Sequence, residues 1–212
     1  MMGHSELTRR ERKKMESRAR ILKAARALFQ GQGYDETSIE EISEMADVSK
    51  STFFNYFPTK ESLLDGIAAD EVEEIEYLIE ADLVGVKSPV EKIRIALRHF
   101  AMDSISFLQV TRRVMWATIF KDEGYPLPIK EMESLLAGLI EEAQDQCEIS
   151  PDLDSKDIAK ALLGMYFAAF FKWIKEDKIS LPASEAGFDL FLNMIFEGIA
   201  GKNYKSKSSK EI

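Results

Sequence analysis

Within "SKSTFFNYF" (residues 49–57), Lys50, Ser51, Phe54 and Asn55 stand at i, i+1, i+4 and i+5, a spacing that gathers them on one face of a helix. That face offers a cation, a hydroxyl, an aromatic ring and an amide. Lys and Asn can address base edges or phosphates, and an exposed ring can contact a thymine methyl, so the set suits the floor of a DNA major groove. Other chemistry has little to work with. Two histidines (His4, His99) and one cysteine (Cys147) lack the spacing of a metal site, and no glycine-rich phosphate loop is present. Carboxylate pairs such as Glu73-Glu74 and Glu141-Glu142 read as solvated helix faces. The expectation is a binding protein rather than an enzyme, with no metal and no cofactor.

Charge supports a polyanionic partner once its distribution is considered. The formal net charge of -9 would argue against nucleic acid, yet residues 1–26 hold nine Lys/Arg against three Glu, leaving -15 on the remainder. A basic end meets a polyanion while an acidic body repels it, which limits non-specific adhesion. A single cysteine rules out an internal disulfide. The longest strongly apolar run, 161–171, is about half the roughly 20 residues of a membrane span. A cytoplasmic protein with no membrane partner is expected.

The elements that must position the polar face are helical throughout, because the apolar residues recur at 3–4 residue spacing and no stretch alternates as a strand would. A first helix carries Met15, Ile21, Leu22, Ala25, Leu28 and Phe29 on one stripe and stops at the glycines of "GQGY". Thr37 and Glu40 have capping-box spacing for a second helix from about Ser38, with Ile39, Ile42, Met45 and Ala46 inward and Ser43 toward water. Asp47 suits the left-handed turn, Ser49 the N-cap of a third helix from Lys50, and Val48 with Phe53 a hydrophobic staple. In that third helix Thr52 and Tyr56 point inward or sideways. Two short helices joined by a tight turn form a helix-turn-helix, whose second helix enters the major groove. Thr59 caps a long fourth helix reaching about Leu83, and Ser88-Pro89 and the segment 150–154 open later ones. The chain is therefore all-α, with about nine helices. Residues 1–58 are read as a basic arm and helix-turn-helix domain, 59–201 as a larger helical domain, and 202–212 as a disordered tail.

Over residues 15–65 the chain resembles the TetR family of bacterial transcriptional regulators. The resemblance is carried by the basic first helix ending in "GY", by "TSIEEISEMADVS", and above all by Tyr56-Phe57-Pro58-Thr59-Lys60-Glu61-Ser62-Leu63-Leu64. It implies a homodimer whose N-terminal helices bind the halves of a palindromic double-stranded DNA operator. Repression, released by a small, largely apolar or amphipathic effector, is the implied behaviour. Matched position by position, Lys50, Ser51, Thr52, Phe54 and Asn55 become recognition-helix contacts. Thr37, Ser38, Tyr56 and Lys60 become phosphate contacts, which set register rather than sequence preference. Three positions depart from the family pattern: Asp47 and Ser51 replace common glycines, and Phe54 replaces a common Tyr. Losing that hydroxyl leaves a ring suited to a thymine methyl.

The larger domain is implied to hold the effector and the dimer interface. From the apolar residues between Ile93 and Phe171, the expected pocket set is Met102, Asp103, Trp116, Ile119, Phe120, Met165, Tyr166 and Phe170. The segments 158–174 and 188–200 are apolar almost all round, so they must be covered on all sides. The expected interface is Ala161, Ala169, Trp173, Phe188, Phe191, Leu192 and Ile195. The fourth helix is the expected transmitter, its tilt changing the separation of two recognition helices that must sit about one DNA turn apart. Two other readings stand beside this one: a helical adaptor for another protein, and a DNA-binding dimer governed by a protein partner with a filled core.

Overall fold

A computed structural model describes residues 8–119, 127–175 and 180–198, with backbone alone at 9–11, 118 and 119. The described residues contain nine α-helices and no strand: α1 Arg9–Gln32, α2 Ile39–Met45, α3 Lys50–Tyr56, α4 Ser62–Tyr77, α5 Pro89–Ser106, α6 Leu108–Ile119, α7 Leu127–Asp145, α8 Ser155–Trp173 and α9 Leu181–Phe196. A π-helical turn, Leu78–Asp82, continues α4. The all-α expectation holds. The expected tail at 202–212 lies outside the described residues.

Local signals set most boundaries. Gly33 ends α1 with φ 93°, whereas Gly31 lies within the helix, so only one of the two glycines terminates it. Asp47 takes φ 51° in the turn between α2 and α3, a left-handed conformation that Asp tolerates better than most residues. Ser49 caps α3 by accepting from the Thr52 N–H at 3.1 Å. Ser88 caps α5, with Pro89 at its first turn, and Asp154 caps α8 by accepting from the N–H groups of Lys156 and Asp157.

Several expectations need correction. The capping box of α2 is formed by Ser38 and Glu41, one residue beyond the Thr37–Glu40 pair: Ser38 Oγ accepts from Glu41 N–H, and Glu41 Oε2 accepts from Ser38 N–H at 2.7 Å. Thr37 is buried and donates instead to the Gly33 carbonyl at 2.7 Å, tying α2 to the end of α1. Ser43 is buried and Met45 exposed, the reverse of the expected faces, because Ile42 and Ala46, with Ile39 beside them, turn the helix so that Ser43 faces the core. Met15 is exposed, since the first turns of α1 run past the core. The fourth helix begins at Ser62 with Glu61 as its N-cap, so its cap is Glu61 rather than the expected Thr59. Thr59 Oγ1 accepts from Ser62 N–H in a turn that precedes it.

Two apolar clusters result. One joins Ile21, Leu22, Ala25 and Phe29 of α1 to Ile42, Phe53 and Phe57, to Leu63, Leu64 and Ile67 of α4, and to Val110 and Val114 of α6. The other begins at Val72 and Ile75 of α4 and fills the space among α5, α7, α8 and α9. Helix α4 thus contributes its first half to one core and its second half to the other. A displacement of α4 cannot leave either core unaffected, because close-packed interiors transmit small shifts.

Candidate nucleic-acid interface and ligand cavity

Packing orients α3. Phe53 is fully buried and Phe57 nearly so, which turns Lys50, Ser51, Phe54 and Asn55 outward together, as their spacing predicts. Phe54 is 47% exposed, touching Phe53 edge-on with 5.4 Å between ring centroids. Its outer surface is open to a ligand. Thr52 is half-buried, and its hydroxyl lies 2.8 Å from that of Ser49, which also contacts the Ser51 hydroxyl. Lys50 is engaged by Glu40 of α2, and the hydrogen bond from Lys50 holds the Glu40 carboxyl below its usual range. A phosphate must therefore compete with Glu40 for this cation.

At the start of α2, Ser38 and Glu41 satisfy one another, and the backbone and hydroxyl hydrogen bonds from Ser38 lower the Glu41 carboxyl. Thr37 offers no free hydroxyl there. Tyr56 is half-buried. Lys60 sits with its Nζ 4.4 Å from the centre of the Tyr34 ring and 3.4 Å from the Asp35 carbonyl. The same ring carries the guanidinium of Arg113 at 4.5 Å, which also pairs with the Asp35 carboxylate at 3.3 Å. Partial burial lowers the Lys60 pKa. Tyr34 thus lies between a cation of the α3–α4 turn and one of α6. Spacing alone did not reveal this link, because Arg113 is 79 positions from Tyr34.

A cavity of about 60 Å³ opens among α4, α5, α6, α7 and α8. Its walls are apolar (Val72, Phe100, Val114, Met115, Met132, Leu163 among them) except at Glu71, Thr111 and Tyr166. Of the expected pocket residues only Tyr166 lies on this wall. Met102, Asp103, Met165 and Phe170 do not line it, and Trp116 is 66% exposed on the outer face of α6. The expectation for Phe120 and for the Ile119 side chain lies outside the described residues. His99 is exposed and away from the cavity. The sequence reading missed Glu71 because it looks like one more carboxylate on an acidic helix.

Glu71 is buried, and that burial pushes its carboxyl up to about 8. Arg26 of α1 opposes that shift from 3.5 Å but is divided among three acids, reaching Glu74 at 3.8 Å and Asp103 at 3.6 Å as well. The Arg26 guanidinium also lies over the Phe107 ring at 5.4 Å. One arginine therefore fastens α1 to α4, α5 and the α5–α6 junction. Its principal partner is a wall of the cavity.

The expected interface residues fall into two groups. Ala169, Trp173, Phe188 and Leu192 are buried in the protomer's own core, so they cannot face a second chain. Ala161 and Ile195 are exposed and Phe191 is half-buried. Beside them lie Gly164, Ala168 and Phe171 on α8 and Leu190 and Met194 on α9, all exposed. The outward apolar face of α8 and α9 is composed of these residues, with Phe171 46% and Leu190 58% exposed.

No helix among the described residues is long and apolar enough to cross a membrane. Residues 21–67 match the family model described as bacterial regulatory proteins, tetR family. The chain is 25% identical over 173 residues to the HTH-type transcriptional repressor KstR of Rhodococcus jostii, covering 82% of this chain and 79% of that protein. It is 26% identical over 191 residues to the HTH-type transcriptional regulator UidR of Escherichia coli, covering 86% and 92%. The fold matches that of Thermus thermophilus FadR, a TetR-family repressor solved in complex with lauroyl-CoA. The TM-score is 0.59 at 24% identity, with 89% of this chain and 98% of that one covered.

Proposed function

We propose that this chain, which belongs to the tetR family of bacterial regulatory proteins, is a homodimeric repressor that holds a palindromic operator through α3 and releases it when an effector enters the cavity beside Glu71. Residues 1–58 serve as the DNA-binding unit and 59–201 as the effector and dimerisation unit, in the cytoplasm. Lys50, Ser51, Phe54 and Asn55 read bases, Thr52 supports them, and Ser38, Tyr56 and Lys60 engage phosphates. Thr37 contributes by fixing α2 to α1 rather than by touching DNA. The outward face of α8 and α9 packs on its copy in the partner.

The observation that carries this reading is the shared position of Glu71, on the cavity wall and in the ion-pair cluster that holds α1 through Arg26. An occupant that moves Glu71 must disturb the attachment of the DNA-binding helices. A ligand shifts an equilibrium only by its differential affinity for the two states, and this contact supplies one. A second reading draws on the cavity's size: about 60 Å³ is below the roughly 300–1,000 Å³ typical of ligand sites. On that view the core is filled and a protein partner governs release.

The deciding experiment is selection of bound sequences from a random duplex pool by the full chain, followed by titration of the best duplex across salt concentrations. A palindromic consensus and a steep salt slope are expected for a dimer making many phosphate contacts. No enrichment, with or without candidate effectors, would leave the helical-adaptor reading in place.

A further inference from the structure

Hydrogen-bond bookkeeping around the cavity limits what it can hold. Ser104 donates its hydroxyl proton to the Phe100 carbonyl at 2.8 Å, so the Tyr166 hydroxyl, 2.8 Å from Ser104 Oγ, must be the donor in that pair. The Thr111 hydroxyl proton is likewise committed, shared between the carbonyls of Ser104 at 3.1 Å and Phe107 at 3.2 Å. Both side chains retain only acceptor lone pairs. The third polar wall residue is the Glu71 carboxyl, which burial holds largely protonated at neutral pH and which a cationic head would ionise into an acceptor.

Charge points the same way. Asp70, Glu71, Glu74 and Asp103 are served by two guanidiniums, Arg18 at 3.8 Å from Asp70 and Arg26 at the other three. Four carboxyl groups facing two cations favour a further positive charge over a negative one, since a cation draws the protons that burial retains on them. An anion brought there meets the acids around Arg26 and, beyond the Glu71 proton, finds no uncommitted donor.

We infer that the effector of this cavity is a compact apolar molecule bearing one cationic or hydrogen-bond-donating head, an amine before an alcohol, anchored on Glu71 in competition with Arg26. Carboxylates and phosphates are disfavoured there by the same acids. The inference rests on the cavity being the effector site. The tail must be compact, and the wall can widen for it mainly through Met115 and Met132, whose unbranched side chains adapt to irregular volumes. Because the head takes Glu71 from Arg26, the same contact that binds the effector loosens α1.

The test is calorimetric titration of the full chain with four probes of one skeleton: benzylamine, benzyl alcohol, benzoate and toluene. Benzylamine should bind tightest and benzoate weakest of the four. Glu71→Gln should weaken benzylamine at least tenfold while leaving toluene within twofold. Arg26→Gln, which removes the competing cation, should tighten benzylamine several-fold, a second readout should the Glu71 variant fold poorly. Met132→Trp, which fills the cavity, should abolish binding of every probe.

Benzoate binding as well as benzylamine, or benzylamine indifferent to Glu71→Gln, would overturn the inference while the cavity remains a ligand site. If none of the four probes binds, the effector-site reading fails and the inference with it.

Discussion

The ring of Phe57 rests on the bare backbone of Gly66: a β-carbon built at Gly66 would lie 2.7 Å from Phe57 Cε1 and 3.0 Å from Leu22 Cδ2. Phe57 is the C-cap of α3, Gly66 lies in the second turn of α4 and Leu22 in the middle of α1. Helix α3 therefore keys into α4 at a position with no room for a side chain.

Gly66→Ala should set this key wrongly. The gain of about 1 kcal/mol in helix propensity is outweighed by overpacking of about 1–3 kcal/mol. Denaturant unfolding should show a modest net loss, and operator affinity should fall by more than stability does. Phe57→Leu in the same chain should recover part of both. Full affinity in the single variant would show that α3 does not take its pose from Gly66.

Phe54→Ala should change which sequences are selected and leave the salt slope alone, because a ring in contact with a thymine methyl reads bases and no phosphate. The loss should be about 1–3 kcal/mol against the best duplex and smaller against one lacking thymine at the half-site centre. An unchanged preference would assign Phe54 to packing against Phe53.

Glu40→Gln should strengthen DNA binding. It releases Lys50 from an exposed pair, so unfolding stability should stay the same while duplex affinity rises several-fold. Filter-binding isotherms at two salt concentrations would check this, and unchanged affinity would mean that Glu40 never competed.

Stability should decline as pH rises. Burial raises the folded-state pKa of Glu71 to about 8, and it raises those of Asp70 and Glu74 in the same direction. Groups raised on folding hold protons more tightly in the native state, so their stabilisation is complete below the ordinary carboxyl range and lost as pH climbs to about 8. The Tm of the wild-type chain should fall between about pH 5 and 9. Glu71→Gln should flatten that slope, with a difference on the order of 3–6 °C at the alkaline end. Parallel profiles would remove Glu71 as the titrating group.

Leu190→Arg, on the outward face of α9, should produce a folded monomer. Leu190 is 58% exposed in the protomer, so its own core loses nothing, whereas an apolar joint between copies cannot accept an unpaired charge. Sedimentation would show half the mass, and operator affinity would fall steeply. Trp173→Ala, inside the core, should instead destabilise the fold.

Features that depend on one or two neighbouring residues were legible in the sequence. Asp47 at its left-handed turn, Ser49 as a cap, the Ser88-Pro89 start and the outward polar face of α3 all follow from spacing within a few residues. Thr37–Glu40 and Ser38–Glu41 both satisfy the capping-box pattern. The choice between them came from Thr37 reaching back to Gly33, a contact that spacing does not encode. The apolar faces of α8 are indistinguishable by composition, so composition does not show that packing against the second core turns Ala169 and Trp173 inward. The cavity wall draws on five helices, and Glu71 acquires its character only from Arg26, 45 residues away.

Tyr34, held between Lys60 and Arg113, also bears on how the two binding events are accounted for. On the proposed reading, a phosphate that draws Lys60 off the ring leaves Arg113 of α6 alone against it, and α6 supplies Thr111, Val114 and Met115 to the cavity. Thermodynamic reciprocity then requires that operator DNA weaken the effector by the same factor by which the effector weakens the operator. Molecules seated on DNA become the poorest receptors, and the unbound pool fills first. The dose needed for release will consequently rise with the number of operators in the cell.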